Sequence, residues 1–334
     1  MATTRADVTV EEFLAANPLP GSPGSLPKQE LRRRLDDPAF AGRQRLFLGG
    51  SSSDPLVRVA ARLSPHLLAV GGGPVGHLGF FDARDERAAA AECLQAAAAW
   101  LASEGAGAIV GPLDSDTWHR YRLNAGPFDV PPFPMEPWNP PWYTELWETS
   151  GFHLVETYSS KRIEDVAEIR PHLAKGVERS HRLGYRIRPL RRDDLQAELD
   201  AIHRISLSIF ADNFLYSPLD RREFGELYAG ALPLLDPDFV VFATAPDGPE
   251  CGFVFSFAEQ DRGLVHYKTI GVEARHRRSG VAAALADHVY SNALGKGLKA
   301  GNHALMRDNN ASQGMDAGHG TVFRRYFLYG WSGG

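Results

Sequence analysis

Apolar positions recur every second residue in some stretches of the chain and every third or fourth in others, and the two periods separate strands from helices. Arg45–Leu48, Leu56–Leu63, His66–Val70 and Val75–Phe81 read as strands, with Gly71-Gly72-Gly73-Pro74 as a breaker before the last. Asp85–Glu104 reads as a long Ala-rich helix: Cys93, Leu94, Ala97, Trp100 and Leu101 share a face, Asp85 is the expected N-cap and Gly105 the stop. Ala108–Val110 is a short buried strand, Tyr143–Ser150 a short helix ended by Gly151, and Phe152–Tyr158 an alternating strand. Gly126–Pro141 is dense in proline and aromatics, which predicts an ordered but irregular loop. Residues 1–30 read as loop with a short helix at Val8–Ala16, and a charged helix follows at Lys28–Asp36.

A helix over Val166–Leu183, stopped at Gly184, leads into a second series. Tyr185–Leu190 alternates as a strand. Asp193–Phe210 is helical, with Leu195, Leu199, Ile202, Ile205 and Ile209 on one face, and Arg221–Ala231 is a further helix. Phe239–Ala245 and Cys251–Ala258 are strands around the turn Pro246-Asp247-Gly248, and Leu264–Val272 follows across Asp261-Arg262-Gly263. Then come helix Val281–Leu294, strand Ala300–Leu305, a polar segment Arg307–Gly320 and a last strand Val322–Tyr329. The two series share an order of elements, as a degenerate internal duplication would. The expected division is residues 1–165, a linking helix 166–184, and residues 185–334.

A length of 334 residues suits two domains, and 43% apolar with 23% charged residues is ordinary for a globular protein. The net charge of −5 argues against a DNA-binding surface, although Lys161–Arg192 is locally basic. Cys93 and Cys251 lie in no metal-ligand or redox spacing, so reduced buried thiols and no metal site are expected. There is no apolar stretch of signal-peptide or membrane-span type, which points to a cytoplasmic protein without a membrane partner.

The chemistry concentrates at Lys268–Ala282. A β-branched strand runs directly into an Arg/Ser/Gly turn that opens an amphipathic helix. Unpaired N–H groups at such a turn, together with the positive end of the helix dipole, suit a pyrophosphate. Gly280 allows close approach, Ala282 leaves room, and Arg275, Arg277 and Arg278 add charge. This stretch resembles the acyl-CoA loop of the GCN5-related N-acetyltransferase (GNAT) superfamily, (Gln or Arg)-x-x-Gly-x-(Gly or Ala). Arg277, Gly280 and Ala282 fill its specified positions, and the likeness in element order covers roughly residues 185–330. Asn310, in Asp308-Asn309-Asn310-Ala311-Ser312, matches the family's second capping segment, whereas its Tyr-x-x-x-Gly-Phe ending is absent there. Residues 142–158 resemble that ending more weakly. Where a first CoA loop would lie, the chain has Asp82-Ala-Arg-Asp-Glu86, whose carboxylates would repel a pyrophosphate.

The resemblance implies an α/β (α+β) protein of two GNAT-like domains. Each would be a mixed, mostly antiparallel sheet flanked by helices, the first degenerate and without a CoA loop. It implies acetyl-CoA or another acyl-CoA as co-substrate, held by Ile270, Gly271, Val272, Arg277, Arg278, Ser279, Gly280, Val281, Ala282 and Asn310. Acyl transfer to an amine needs a base for the amine, polarisation of the thioester and protonation of the thiolate. His266 is the leading base because its pKa lies near working pH, with Glu259 second. Strand alternation puts His266 and Lys268 on one side, and Lys268 suits a substrate carboxylate or phosphate. Tyr326, or else Tyr329, is the candidate thiolate protonator. Asn213, Tyr216, Trp138 and Trp142 are candidate acceptor contacts.

The implied function is an acyl-CoA-dependent N-acyltransferase acting on a small-molecule primary amine, as a monomer or homodimer. An aminoacyl-tRNA-dependent transferase of tandem type is the alternative suggested by the duplication and the basic stretch, and is the one reading with a tRNA partner. A CoA-binding module without turnover is suggested by the weak definition of base and acid.

Overall fold

The computed structural model describes residues 4–22, 25–69, 71–228, 235–246 and 248–333. Two compact units emerge from the contacts: unit 1 is Met1–Tyr158 with Arg324–Gly334, and unit 2 is Ser159–Phe323. The sequence places boundaries at 165 and 184; the contacts divide the chain at Tyr158 and return the last strand to unit 1.

Unit 1 contains α1 (Val10–Ala15), α2 (Lys28–Leu35), β1 (Gln44–Gly50), β2 (Pro55–Leu68), β3 (Pro74–Ala83), α3 (Arg87–Ser103), β4 (Ala108–Gly111), β5 (Leu123–Asn124) and α4 (Tyr143–Thr149). β6 (His153–Ile163) begins in unit 1 and ends in unit 2. Unit 2 continues with α5 (Arg170–Arg182), β7 (Arg186–Pro189), α6 (Leu195–Ile209), α7 (Arg221–Tyr228), β8 (Val240–Thr244), β9 (Glu250–Glu259), β10 (Leu264–Val272), α8 (Val281–Gly295) and β11 (Ala300–Arg307). β12 (Thr321–Trp331) starts in unit 2 and gives most of its length to unit 1.

In unit 1 the order is β1-β2-β3-β4-β12, with β5 also on β12. The pairs are antiparallel except β3 with β4. The Ala-rich face of α3 lets it lie close on the sheet, and its Cys93, Leu94, Ala97 and Leu101 join Val57, Leu78, Trp147 and Tyr329 in one core. Unit 2 has the order β11-β10-β9-β8-β7, antiparallel except β10 with β11. Its main core lies under α8 (Val281, Leu285, Val289), and a second cluster lies under α6 (Ala201, Ile205). Both cysteines are buried free thiols.

Some boundaries differ from the sequence pattern. β2 runs through Ser64-Pro65 as one strand, because its register with β3 shifts between Leu63 and Leu68 and the proline falls in that irregular stretch. The N-cap of α3 is Glu86, with no side-chain cap bond, rather than Asp85. The 166–183 helix opens as a 3-10 turn, Val166–Glu168, before α5. Val70, Asp247 and residues 229–231 of the expected helix lie outside the described residues.

A buried histidine in each unit resists protonation. His77 on β3 donates Nδ1–H to the Leu113 carbonyl at 3.0 Å, and His303 on β11 meets the Tyr290 hydroxyl at 2.6 Å. Burial brings both down to a pKa of about 4. The unfolded chain, titrating near 6.5, then binds more protons than the fold between those limits. Stability therefore falls as pH drops from about 6.5 towards 4. The expected loss is about 2–3 kcal/mol per histidine at pH 4.5 relative to pH 7.5 in urea titrations. His77→Gln should flatten that slope for unit 1 alone.

Candidate functional site

The site is built where β10 runs into α8. One edge of β10 pairs with β9, with a bulge between Tyr267 and Thr269. The other edge pairs with β11 only over Leu264–Tyr267, against Ala300–His303. From Thr269 to Val272 this second edge has no ladder partner among the described residues, so strand N–H and C=O groups line a cleft. Ile270, Gly271 and Val272 stand on that edge. Lys268 is the residue the bulge inserts, and the simple alternation that put it on the same side as His266 is interrupted there.

Past Val272 the chain makes a 3-10 turn, Ala274–His276, and reaches α8 through Arg278 at φ 65° and Gly280 at φ 89°. Gly280 gives the helix no side-chain cap and the Ser279 hydroxyl accepts from the Val281 N–H at 3.4 Å, which leaves the other first-turn N–H groups to an anion, reinforced by the helix dipole. The Ser279 hydroxyl donates to the His276 carbonyl at 2.6 Å and fixes the turn. Arg277 and Arg278 are exposed at its mouth, and Arg277 Nε lies 3.4 Å from the Val272 carbonyl. Gly280 is needed twice. Its backbone is left-handed, and a Cβ there would sit 2.0 Å from the carbonyl oxygen of Gly176 on α5. Gly176 in turn lies against Ala283, so the two helices cross through small residues. Val281 is buried in the core and Ala282 half-buried against it. Asn310 caps the 3-10 turn after β11 by accepting from the Ser312 N–H at 3.2 Å.

The two base candidates are in direct contact. His266 is fully buried, stacks on Phe257 at 5.0 Å and places Nε2 2.8 Å from Glu259 Oε2. Asn302 Nδ2 lies 3.1 Å from its Nδ1. With the amide donating there, the ring carries its proton on Nε2 and donates it to Glu259. Burial lowers the His266 pKa against the pull of Glu259, and Arg162 and Arg262 lower it further. Glu259 keeps part of its carboxylate accessible, with Arg262 Nη1 3.3 Å from both oxygens. Sequence order made His266 the base and Glu259 the second choice; the geometry makes Glu259 the accessible group and His266 its support.

Asn213 and Tyr216 sit in the turn after α6, linked by the Tyr216 N–H donating to the Asn213 carbonyl at 3.1 Å. The remaining candidates lie in unit 1. Tyr326 is fully buried and its hydroxyl donates to Glu136, which also binds Arg324; the Tyr329 hydroxyl donates to Glu148. One of the two was expected to protonate the thiolate, yet both hydroxyls are bound to carboxylates of unit 1. Trp142 donates its indole N–H to the Ala83 carbonyl at 3.1 Å and packs on the core, while Trp138 is half-buried in the proline-rich loop.

The matching junction of unit 1, β3 into α3, is closed. The Ala83 N–H donates to the Tyr143 hydroxyl at 2.9 Å, its carbonyl is held by Trp142, and the Phe80 N–H donates to Asp114. No residue between Ala83 and Arg87 has positive φ. Asp82 does not repel anions as a free charge: it is buried against the Arg58 guanidinium, whose Nε lies 2.9 Å away. The strand end is covered by side chains of unit 1 itself, and that, rather than carboxylate repulsion, distinguishes it from β10.

No helix among the described residues is long and apolar enough to cross a membrane, and no group of three His, Cys, Asp or Glu among them is placed to hold a metal. No protein-family model matches the chain. Protein YghO of Escherichia coli (strain K12) is 29% identical over 184 residues, 55% of this chain and 47% of that protein; the chain spans about half the length of this curated relative. Among solved structures, a conserved protein of Enterococcus faecalis V583, described as a probable N-acyltransferase, aligns with a TM-score of 0.57 at 12% identity over 98% of this chain and 72% of that one. A tandem GNAT protein from the clavulanic acid biosynthesis pathway aligns with a TM-score of 0.52 at 13% identity over 98% of both chains.

Proposed function

We propose, from the premise that this chain has the GCN5-related N-acetyltransferase fold in tandem form, that unit 2 transfers an acyl group from acetyl-CoA to the primary amine of a small metabolite. The observation that carries the reading is the uncapped start of α8 behind Gly280, next to a β10 edge without a ladder partner. The N–H groups of Arg278, Ser279, Gly280 and Ala282 suit a pyrophosphate, with Arg277 and Arg278 as charged partners. The free edge at Ile270–Val272 suits the amides of a pantetheine arm and offers strand N–H groups to polarise a thioester carbonyl.

Glu259 takes the proton of the attacking ammonium, and His266 holds the carboxylate in place. The amine nitrogen then bonds to the acyl carbon as the carbon–sulfur bond breaks, and the second proton of the former ammonium passes to solvent or to the departing thiolate. A CoA thiol, with a pKa like that of cysteine at about 8.5, leaves as thiolate without a dedicated acid. No role is therefore assigned to Tyr326. A cytoplasmic location and the absence of a membrane partner remain part of the proposal.

Calorimetric titration with acetyl-, malonyl- and succinyl-CoA tests the reading, and no heat with any of the three would sink it. Glu259→Gln should lower kcat by about 10²–10³-fold with the acetyl-CoA Kd unchanged.

A further inference from the structure

Among the described residues, other half-buried arginines are held by acceptors. Arg188 binds Glu198 and Glu250, and Arg170 binds Asp287. Arg162, on the part of β6 that belongs to unit 2, is the exception. It is half-buried, its guanidinium carbon lies 5.6 Å from the centre of the Phe323 ring, and among the described residues no carboxylate, carbonyl or hydroxyl accepts a hydrogen bond from it. Removal from water disfavours its charge, and Glu259, Glu164 and Arg262 lie within electrostatic reach.

Arg162 and Arg262 both lie near Glu259, which the buried His266 also contacts. Glu259 also holds Arg262 loosely, at 3.3 Å. The group has a carboxylate able to receive an ammonium, Glu259, near a guanidinium without a protein acceptor that can receive an anion, Arg162. The Arg162 nitrogens stay open to solvent, so a ligand carboxylate can reach a guanidinium already steadied against the Phe323 ring.

We infer that Arg162 anchors a carboxylate of the acceptor, so that the acceptor is an amino-acid-type molecule whose amine is presented to Glu259. This rests on the acyltransferase reading and narrows its substrate class. It also moves the carboxylate contact from Lys268, where the sequence placed it, to Arg162. A planar guanidinium binds a carboxylate through two parallel N–H bonds, which a decarboxylated amine cannot accept.

The test uses matched pairs: phenylalanine with phenethylamine, lysine with cadaverine, alanine with ethylamine. Binding is read by calorimetry on the full chain with and without CoA, and turnover by thiol release from acetyl-CoA. In at least one pair the carboxylate member should bind or turn over at least about tenfold better. Arg162→Gln should abolish that difference by weakening the carboxylate member alone, and Arg162→Lys should restore part of it. Because the arginine is unpaired in the fold, Arg162→Gln should melt no lower than the parent, which separates a binding role from a structural one. The inference is overturned if decarboxylated amines do as well or better, if no carboxylate member binds, or if Arg162→Gln weakens both members equally. Failure of acetyl-CoA to bind would overturn the acyltransferase reading instead, and the titrations without CoA would still judge Arg162.

Discussion

Gly280→Glu is expected to abolish acetyl-CoA binding in calorimetry and, at the same time, to destabilise unit 2 by about 2–5 kcal/mol in urea titrations. Two costs add. A non-glycine residue at φ 89° costs about 1–2 kcal/mol. The new Cβ would also overlap the Gly176 carbonyl, and pushing α8 away from α5 costs about 1–3 kcal/mol more. The carboxylate then sits where the helix dipole and Arg277 and Arg278 would receive a phosphate. From the sequence alone, this substitution would remove binding and leave the fold intact; the helix crossing shows that it tests both. Arg277→Glu with Arg278→Glu separates them. Both side chains are exposed, so the double variant should melt like the parent and weaken acetyl-CoA by at least about tenfold. Unchanged affinity in this variant would remove the loop from the proposed site.

Asp82→Ala is expected to destabilise unit 1 by about 3–5 kcal/mol and to leave the acetyl-CoA affinity of unit 2 unchanged. The aspartate and Arg58 are both buried, and the guanidinium has the Phe13 and Ala16 carbonyls as its other acceptors. Removing the carboxylate leaves a positive charge in the interior without a counter-charge, a larger penalty than the net worth of the pair. If Asp82 instead acted by repelling phosphate, Asp82→Ala would be nearly neutral for stability and would gain acyl-CoA affinity at the β3–α3 junction. Denaturation and titration on the same sample distinguish the two outcomes.

The parts of the site that were legible in the sequence are those fixed by neighbours along the chain. The loop at 277–282 could be read because glycine, small residue and arginine follow one another within a single turn. The helices could be read because their apolar faces repeat. The bulge at Lys268 was not, since it depends on register with β9. Both members of the His266–Glu259 pair were identified, but their order of access depends on burial by Phe257 and Asn302. Tyr326 looked like a reactive group in a terminal strand until its partner, Glu136, came from a loop far back in the chain. Arg162 was missed because its signal is the lack of an acceptor, which a pattern of residues does not carry. It lies within the basic stretch 161–192, where sequence reading saw only collective charge.

The assignment of Arg324–Gly334 to unit 1 has a consequence for how the protein is made. β12 brings Tyr329 to the core, lays Tyr329–Trp331 beside β4, and supplies the two groups that hold the buried carboxylate of Glu136. A ribosome emits residues 1–158 first, yet that segment lacks a sheet strand and the partners of Glu136 until the remainder has been synthesised. At about 5–20 residues per second the wait is roughly 10–30 s. Unit 2 is contiguous from Ser159 to Phe323 and can close during that interval. The half whose synthesis starts first is thus the half that finishes last, and in the meantime its open sheet edge is the segment most in need of a chaperone.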